Sequence, residues 1–293
     1  MEQRKHSTPK ASSVSHETPT TWLTMADGQS LFVRDWPHAS ARGAVLIVHG
    51  LGEHSGRYER LAHWFHARGY AVRTYDQRGH GRTVGPRGAL RSDDDLLSDL
   101  AAVYLDYAAS LPHPPLLLGH SMGGLVAARA VLDRRITPPA LVLSSPALRT
   151  HESRWLHRLA SVLKRVCPNL PLRTGLAVTA LSHDTQVIED YRHDPLCSRK
   201  ITPRLADFIF RAGDSSIADA VNLKVPTLLL VAGSDRLVDP AGSRDFAASA
   251  WATKQLTTRF FDTLYHELFN EAEPARHQVL AQLRDWLGRY ASH

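Results

Sequence analysis

Gly119-His120-Ser121-Met122-Gly123 places a serine between two glycines, with the apolar run Pro115–Leu118 before it and Gly124-Leu125-Val126-Ala127-Ala128 after it. A G-x-S-x-G pentapeptide between a strand and a helix is a nucleophile elbow. The turn is so tight that flanking side chains must be absent or tiny, and it lifts the serine Oγ clear of the backbone. Ser121 then sits at a helix N-terminus, where free amides and the positive dipole end stabilise negative charge. The chemistry this suits is attack on a carbonyl carbon.

A serine nucleophile needs a base, and the base needs an orienting acid. Leu228-Leu229-Leu230-Val231-Ala232-Gly233-Ser234-Asp235 delivers a carboxylate off a strand end, with Asp239 four residues on. Asp235 is the expected acid, while Asp239, before Pro240, is expected to cap the next helix. His266 is the candidate base, as the histidine between strand 257–261 and the terminal helix; among 17 histidines, the order Ser121, Asp235, His266 carries the weight. An oxyanion needs two amide donors. The residue after the nucleophile, Met122, supplies one, and Leu51 in His49-Gly50-Leu51-Gly52 supplies the other, its neighbouring glycines letting the backbone turn the N–H inward.

The elements that must hold these residues alternate. Asp27-Gly28 between strand-like runs predicts a hairpin. Strands are expected at 44–48, 70–75, 116–118, 141–144, 226–231 and 257–261, with helices at 58–68, 96–109, 124–132, 241–250 and around 279–287. That rhythm predicts an α/β class: a mostly parallel central sheet with helices on both faces. Residues 1–20 are polar and unpatterned and read as a disordered tail. The core is expected at 21–146 and 220–293, interrupted at 147–219 by a helical cap. In the cap Leu156, Leu159, Leu163 and Val166 share one helix face, and Pro168, Pro171, Pro195 and Pro203 break the remainder. Asp76, Arg78 and His80 are expected to form a buried brace, and Glu53 with Arg57, spaced i,i+4, to hold the loop that carries Leu51.

The 293 residues, 43% apolar and 22% charged, are enough for a large core without disulfides. No apolar run nears the roughly 18 residues of a membrane helix, and the first 20 residues lack a signal-type apolar segment. Cys167 and Cys197 allow one pairing only; with a reducing cytoplasm as the expected location, both read as free thiols. His63 and His66 are too close for the HExxH spacing, and no P-loop or dinucleotide fingerprint appears, so no metal and no cofactor are expected. The net charge of +6 forms no basic stripe, which sets nucleic acid aside; half of it falls within 147–219, suggesting transient contact between the cap and anionic lipid.

His49-Gly50-Leu51-Gly52-Glu53-His54-Ser55-Gly56-Arg57-Tyr58, Asp76-Gln77-Arg78-Gly79-His80-Gly81-Arg82, the elbow, Gly233-Ser234-Asp235 and His266-Glu267-Leu268-Phe269-Asn270-Glu271 together resemble the monoacylglycerol lipase/lysophospholipase group of α/β-hydrolases. The resemblance runs from about residue 21 to the C-terminus. It implies the α/β-hydrolase fold, a triad of Ser121, Asp235 and His266, Leu51 and Met122 as oxyanion donors, and a mobile cap over an acyl pocket. Thr83 stands where the group commonly has serine, and 262–264 lack a glycine common before the histidine. The implied activity is hydrolysis of carboxylic esters with an apolar acyl chain, of monoacylglycerol or lysophospholipid type. The same triad on C–C bonds, peptides or thioesters stays open, as does, more remotely, a non-catalytic binding protein.

Overall fold

The Asp27-Gly28 turn joins β1 (Thr20–Thr24) to β2 (Ser30–Trp36) as an antiparallel pair, with Gly28 at φ 82°. The computed structural model describes residues 18–290. The tail expected at 1–20 therefore lies, up to residue 17, outside the described residues, while Thr20 already pairs in β1.

The expected alternation follows. It comprises β3 (Gly43–Val48), α1 (Glu59–His66), β4 (Tyr70–Tyr75), α2 (Asp95–Ala109), β5 (Leu116–His120), α3 (Met122–Leu132) and β6 (Leu141–Ser144). The insertion holds α4 (Arg154–Val166), β7 (Leu172–Arg173), α5 (Thr185–His193), β8 (Lys200–Ile201) and α6 (Pro203–Asp219). The chain closes with β9 (Thr227–Ala232), α7 (Pro240–Ser249), β10 (Leu256–Phe261) and α8 (Ala275–Tyr290). Eight strands form one sheet in the order β1-β2-β4-β3-β5-β6-β9-β10, parallel from β4 onward; β7 and β8 make a separate ribbon.

The central strands are apolar without interruption because both sheet faces are covered, so alternate residues enter different cores. Leu46 and Val48 of β3 pack with α2 and α3, whereas Val45 and Ile47 pack with α1 and α8. Truncating such a residue costs roughly 2–5 kcal/mol. From β3 the chain crosses to β4 on one side, then passes back through α2 to β5 on the other. That reversal opens a crevice at the carboxyl ends of β3 and β5, where α/β sheets bind ligands.

Three of the four prolines of the insertion mark helix boundaries, and Pro171 directly precedes β7. Pro203 is at the start of α6, behind a Thr202 whose hydroxyl accepts from Leu205 N–H, and Pro168 and Pro195 follow the ends of α4 and α5. α6 buries Leu205, Phe208, Ile209 and Ala212 in the same core as α3. On α4, Leu156 and Leu163 line a cavity together with Ala160 and Leu159. Val166, expected on that face, is instead 80% exposed, on an outward row with Trp155 and Val162. Among the described residues no helix is long and apolar enough to cross a membrane.

Candidate active site

β5 ends at His120, and Ser121 turns the chain into α3 at φ 53° and ψ −121°. That backbone costs a non-glycine residue on the order of 1–3 kcal/mol. It is held by Ser121 N–H donating to Ser144 O (3.0 Å) and by Ser121 O accepting from Leu125 and Ala147 (3.0 Å each). Gly123 is required by proximity: a Cβ there would lie 2.3 Å from Val48 O and 2.4 Å from His49 O. The start of α3 thus presses against the end of β3.

β9 delivers Asp235. Its Oδ1 accepts from Leu237 N–H (2.8 Å) and Val238 N–H (3.0 Å), leaving Oδ2 for His266 Nδ1 at 2.6 Å. Asp239 accepts from Ala241 N–H and caps α7, whereas Asp235 meets His266. His266 and Asp235 are buried. Burial alone would lower the His266 pKa, but the Asp235 carboxylate outweighs it and holds the imidazole above its usual value. Burial would likewise raise Asp235; the imidazole and the two amides hold it below. His120, with its ring 4.7 Å from that of His266, is pushed down to about 4 by burial and by its neighbour, and stays neutral.

The loop after β3 is fixed by groups the motif reading did not use. Gln77 N–H donates to His49 Nε2 (2.9 Å), which makes Nδ1 the protonated nitrogen, and Nδ1 donates to Gly50 O (2.7 Å). Burial keeps His49 neutral by lowering its pKa. In a trans peptide C=O and N–H point oppositely, so gripping Gly50 O aims the Leu51 N–H the other way. No acceptor bonds that amide among the described residues. The amide of Met122, first in α3, has no intrahelical partner either. Leu51, Met122, Ser121 and His266 line one chamber.

Glu53 and Arg57 pair as expected (2.7 Å), and Glu53 Oε1 also accepts from Gly50 N–H and Tyr58 OH (2.6 Å each). Desolvation opposes the Glu53 charge, but Arg57 and the neighbouring donors bring its pKa to about 2. Sequence reasoning missed Glu267, which receives both terminal nitrogens of Arg57 (2.6 and 2.9 Å). Its adjacency to His266 was the available signal. The brace is present: Asp76 accepts from Ser55 and Arg82 N–H (2.7 Å each), Arg78 bridges Asp99 and Asp27, and His80 bonds Arg78 O. Thr83 fills the serine position, its hydroxyl donating to Asp76 O (2.6 Å) and accepting from Phe32 N–H (3.0 Å). Across Leu51, Leu176, Ile209 and Leu237 the chamber meets an apolar cavity of about 350 Å³ under α4 and α6.

The sheet order, the elbow at the end of β5 and the Ser–Asp–His order define a class, the α/β-hydrolases. A family model described as serine aminopeptidase, S33, matches residues 39–273. The chain is 34% identical over 255 residues to a monoacylglycerol lipase of Mycolicibacterium smegmatis, covering 86% of this chain and 90% of the relative. It is 32% identical over 261 residues to the phospholipase YtpA of Bacillus subtilis, covering 87% and 98%. A solved monoacylglycerol lipase of Paleococcus ferrophilus superposes with a TM-score of 0.81 at 32% identity, covering 88% of this chain and 98% of that one. The chain spans only 28% of a longer abhydrolase domain-containing protein of Dictyostelium discoideum, at 29% identity over 269 residues. This chain belongs to the serine aminopeptidase S33 family, within its monoacylglycerol lipase group.

Proposed function

We propose that the chain hydrolyses lipid esters with an apolar acyl chain through an acyl-enzyme on Ser121. The observation that carries this reading is an apolar cavity of about 350 Å³ that shares Leu51, Leu176, Ile209 and Leu237 with the Ser121 chamber. Such a cavity suits a fatty acyl chain, and the monoacylglycerol lipase relatives support it.

In this scheme Ser121 Oγ attacks the ester carbonyl as its proton passes to His266 Nε2. Asp235 holds the Nδ1–H tautomer and stabilises the imidazolium. The tetrahedral oxyanion accepts from the Leu51 and Met122 amides, each donor contributing about 3–4 kcal/mol. Collapse breaks the ester C–O bond and the leaving alkoxide takes the proton from His266. Water then repeats the sequence on the acyl-enzyme, releasing the fatty acid and regenerating Ser121. We further propose that 147–219 act as a cap over a core made of 21–146 and 220–293. Its exposed row Trp155, Val162 and Val166, with Arg154, Arg158 and Arg165 nearby on α4, would touch anionic lipid transiently. The free thiols of Cys167 and Cys197 suit the cytoplasm.

The test is a panel of p-nitrophenyl and glycerol esters of increasing acyl length, with Ser121→Ala alongside. Activity is expected to rise with acyl length and to vanish in the variant together with fluorophosphonate labelling. Hydrolysis by a clean Ser121→Ala preparation would overturn the scheme.

A further inference from the structure

Adjoining the catalytic chamber lies a second space of about 380 Å³ with a mainly polar lining. The two share the lining residues Leu176, Ala177, Val178 and Tyr191. Gly175, at φ 68° with open space around it, precedes this shared stretch. Tyr191 is fixed, its hydroxyl donating to Gly52 O (3.0 Å) under the Arg57 guanidinium.

Charge changes sign from one space to the other. At the inner end Glu53 and Glu267 share the single cation Arg57, which leaves a net negative rim beside His266. Beyond Tyr191 the outer space is lined by Arg192 and Arg199 against one carboxylate, Asp194. Asp194 is already engaged by His54 Nε2 (2.7 Å) and Leu196 N–H (2.8 Å). Arg192 pairs with the exposed Glu189, whereas the Arg199 guanidinium has no partner among the described residues. Thr179 and Ser198 add hydroxyls to the same wall.

Resting on the esterase reading above, we infer that this polar space is the headgroup subsite, in which Arg199, assisted by Arg192, binds a phosphate carried by the leaving alcohol. A glycerol backbone fits the inner rim, where hydroxyls can donate to carboxylates and a phosphate is repelled. A phosphate further along the same alcohol meets guanidinium instead. The substrate class is thereby a lysophospholipid with an anionic headgroup, hydrolysed alongside neutral monoacylglycerol.

The test compares 1-octanoylglycerol with 1-octanoylglycerol 3-phosphate, both dissolved below their aggregation concentrations so that no lipid surface contributes. Arg199 is exposed, so Arg199→Ala and Arg199→Glu should fold. Arg199→Ala is expected to lose roughly tenfold in kcat/KM on the phosphate ester, mostly through KM, with a larger loss for Arg199→Glu. The neutral ester should stay within about twofold. Equal losses on both esters, no loss on either, or wild-type turnover of the neutral ester alone would overturn the assignment. Inorganic phosphate inhibiting as strongly as glycerol 3-phosphate would mark a site for a free anion and overturn it too. A wild-type chain inert on both esters would instead remove the esterase reading, and this inference with it.

Discussion

Arg57 and Glu267, 210 residues apart in the chain, meet in a two-bond ion pair beside the catalytic chamber. Because Arg57 also holds Glu53, and Glu53 holds the Gly50 amide, one guanidinium locks the loop bearing Leu51 to the loop bearing His266. The pair is almost fully buried, so removing one member strands the other's charge. Arg57→Met is expected to cost about 3–5 kcal/mol of unfolding free energy in a denaturant titration. Its residual folded fraction should show a reduced kcat with a smaller change in KM. A folded, fully active Arg57→Met would show that the two loops are held independently.

The same carboxylate bears on pH. Burial pulls His266 down, but Asp235 first, and Glu267 and Glu53 after it, hold its pKa above the ordinary 6.5. In the proposed scheme His266 works as a base when neutral, so kcat/KM should rise with pH through a midpoint above 6.5. Glu267→Gln removes one of those charges and should move the limb toward lower pH; a shift the other way would contradict the electrostatics. The stability linkage runs oppositely. With the folded pKa raised, the protonated His266–Asp235 pair stabilises fully below the unfolded pKa, and that contribution is lost as pH climbs through the folded one. Wild type should thus lead His266→Phe by more at pH 5.5 than at pH 8.5 in equilibrium unfolding.

Asp235 and Asp239 offer a matched contrast four residues apart. Asp235→Asn keeps the shape but presents an amide to His266 Nδ1, favouring the wrong tautomer. The kcat should fall by roughly 10⁴-fold, the scale of such tautomer errors in serine hydrolases. Asp239→Ala removes only the cap on Ala241 N–H and should cost about 1 kcal/mol of stability with kcat retained. If Asp239→Ala were the slower enzyme, the assignment of the acid would have to be exchanged.

The parallel core could be read from sequence because strands buried on both faces leave short unbroken apolar runs, as in Tyr70–Tyr75 and Leu141–Ser144. The elbow, Asp235 and His266 were legible because each sits at a strand end whose position those runs define. Glu267, Tyr191 and His49 were not, since their partners Arg57, Gly52 and Gln77 reach them only through the folded sheet or the insertion. Within 147–219 the inward residues are harder to read for a physical reason. α4 carries one broad apolar face, but only its flank with Leu156, Ala160 and Leu163 lines the cavity. The flank with Trp155, Val162 and Val166 is exposed, so the stripe alone does not mark its inner side. Pro203 looked like a breaker because a proline opening a helix is indistinguishable in sequence from one ending a segment, until Thr202 is seen to cap it.

That outward row supplies a last expectation. Trp155, Val162 and Val166 are 62, 56 and 80% exposed, an unusual surface for one helix of a protein in water alone. If α4 meets the lipid surface, inserting two of these side chains should contribute about 2 kcal/mol, or roughly thirtyfold in vesicle affinity. Trp155→Asp with Val162→Asp should lose that affinity in a flotation assay on vesicles containing phosphatidylglycerol. Hydrolysis of dissolved octanoyl esters should be unchanged, because the inward residues Leu156 and Leu163 still line the cavity. Arg158→Glu with Arg165→Glu should weaken binding only to the anionic vesicles, and less so as salt is raised. Vesicle binding that ignored both pairs of substitutions would place the membrane contact elsewhere than on α4. Loss of dissolved-ester activity in the first pair would mean that the outward row serves the pocket rather than the lipid surface.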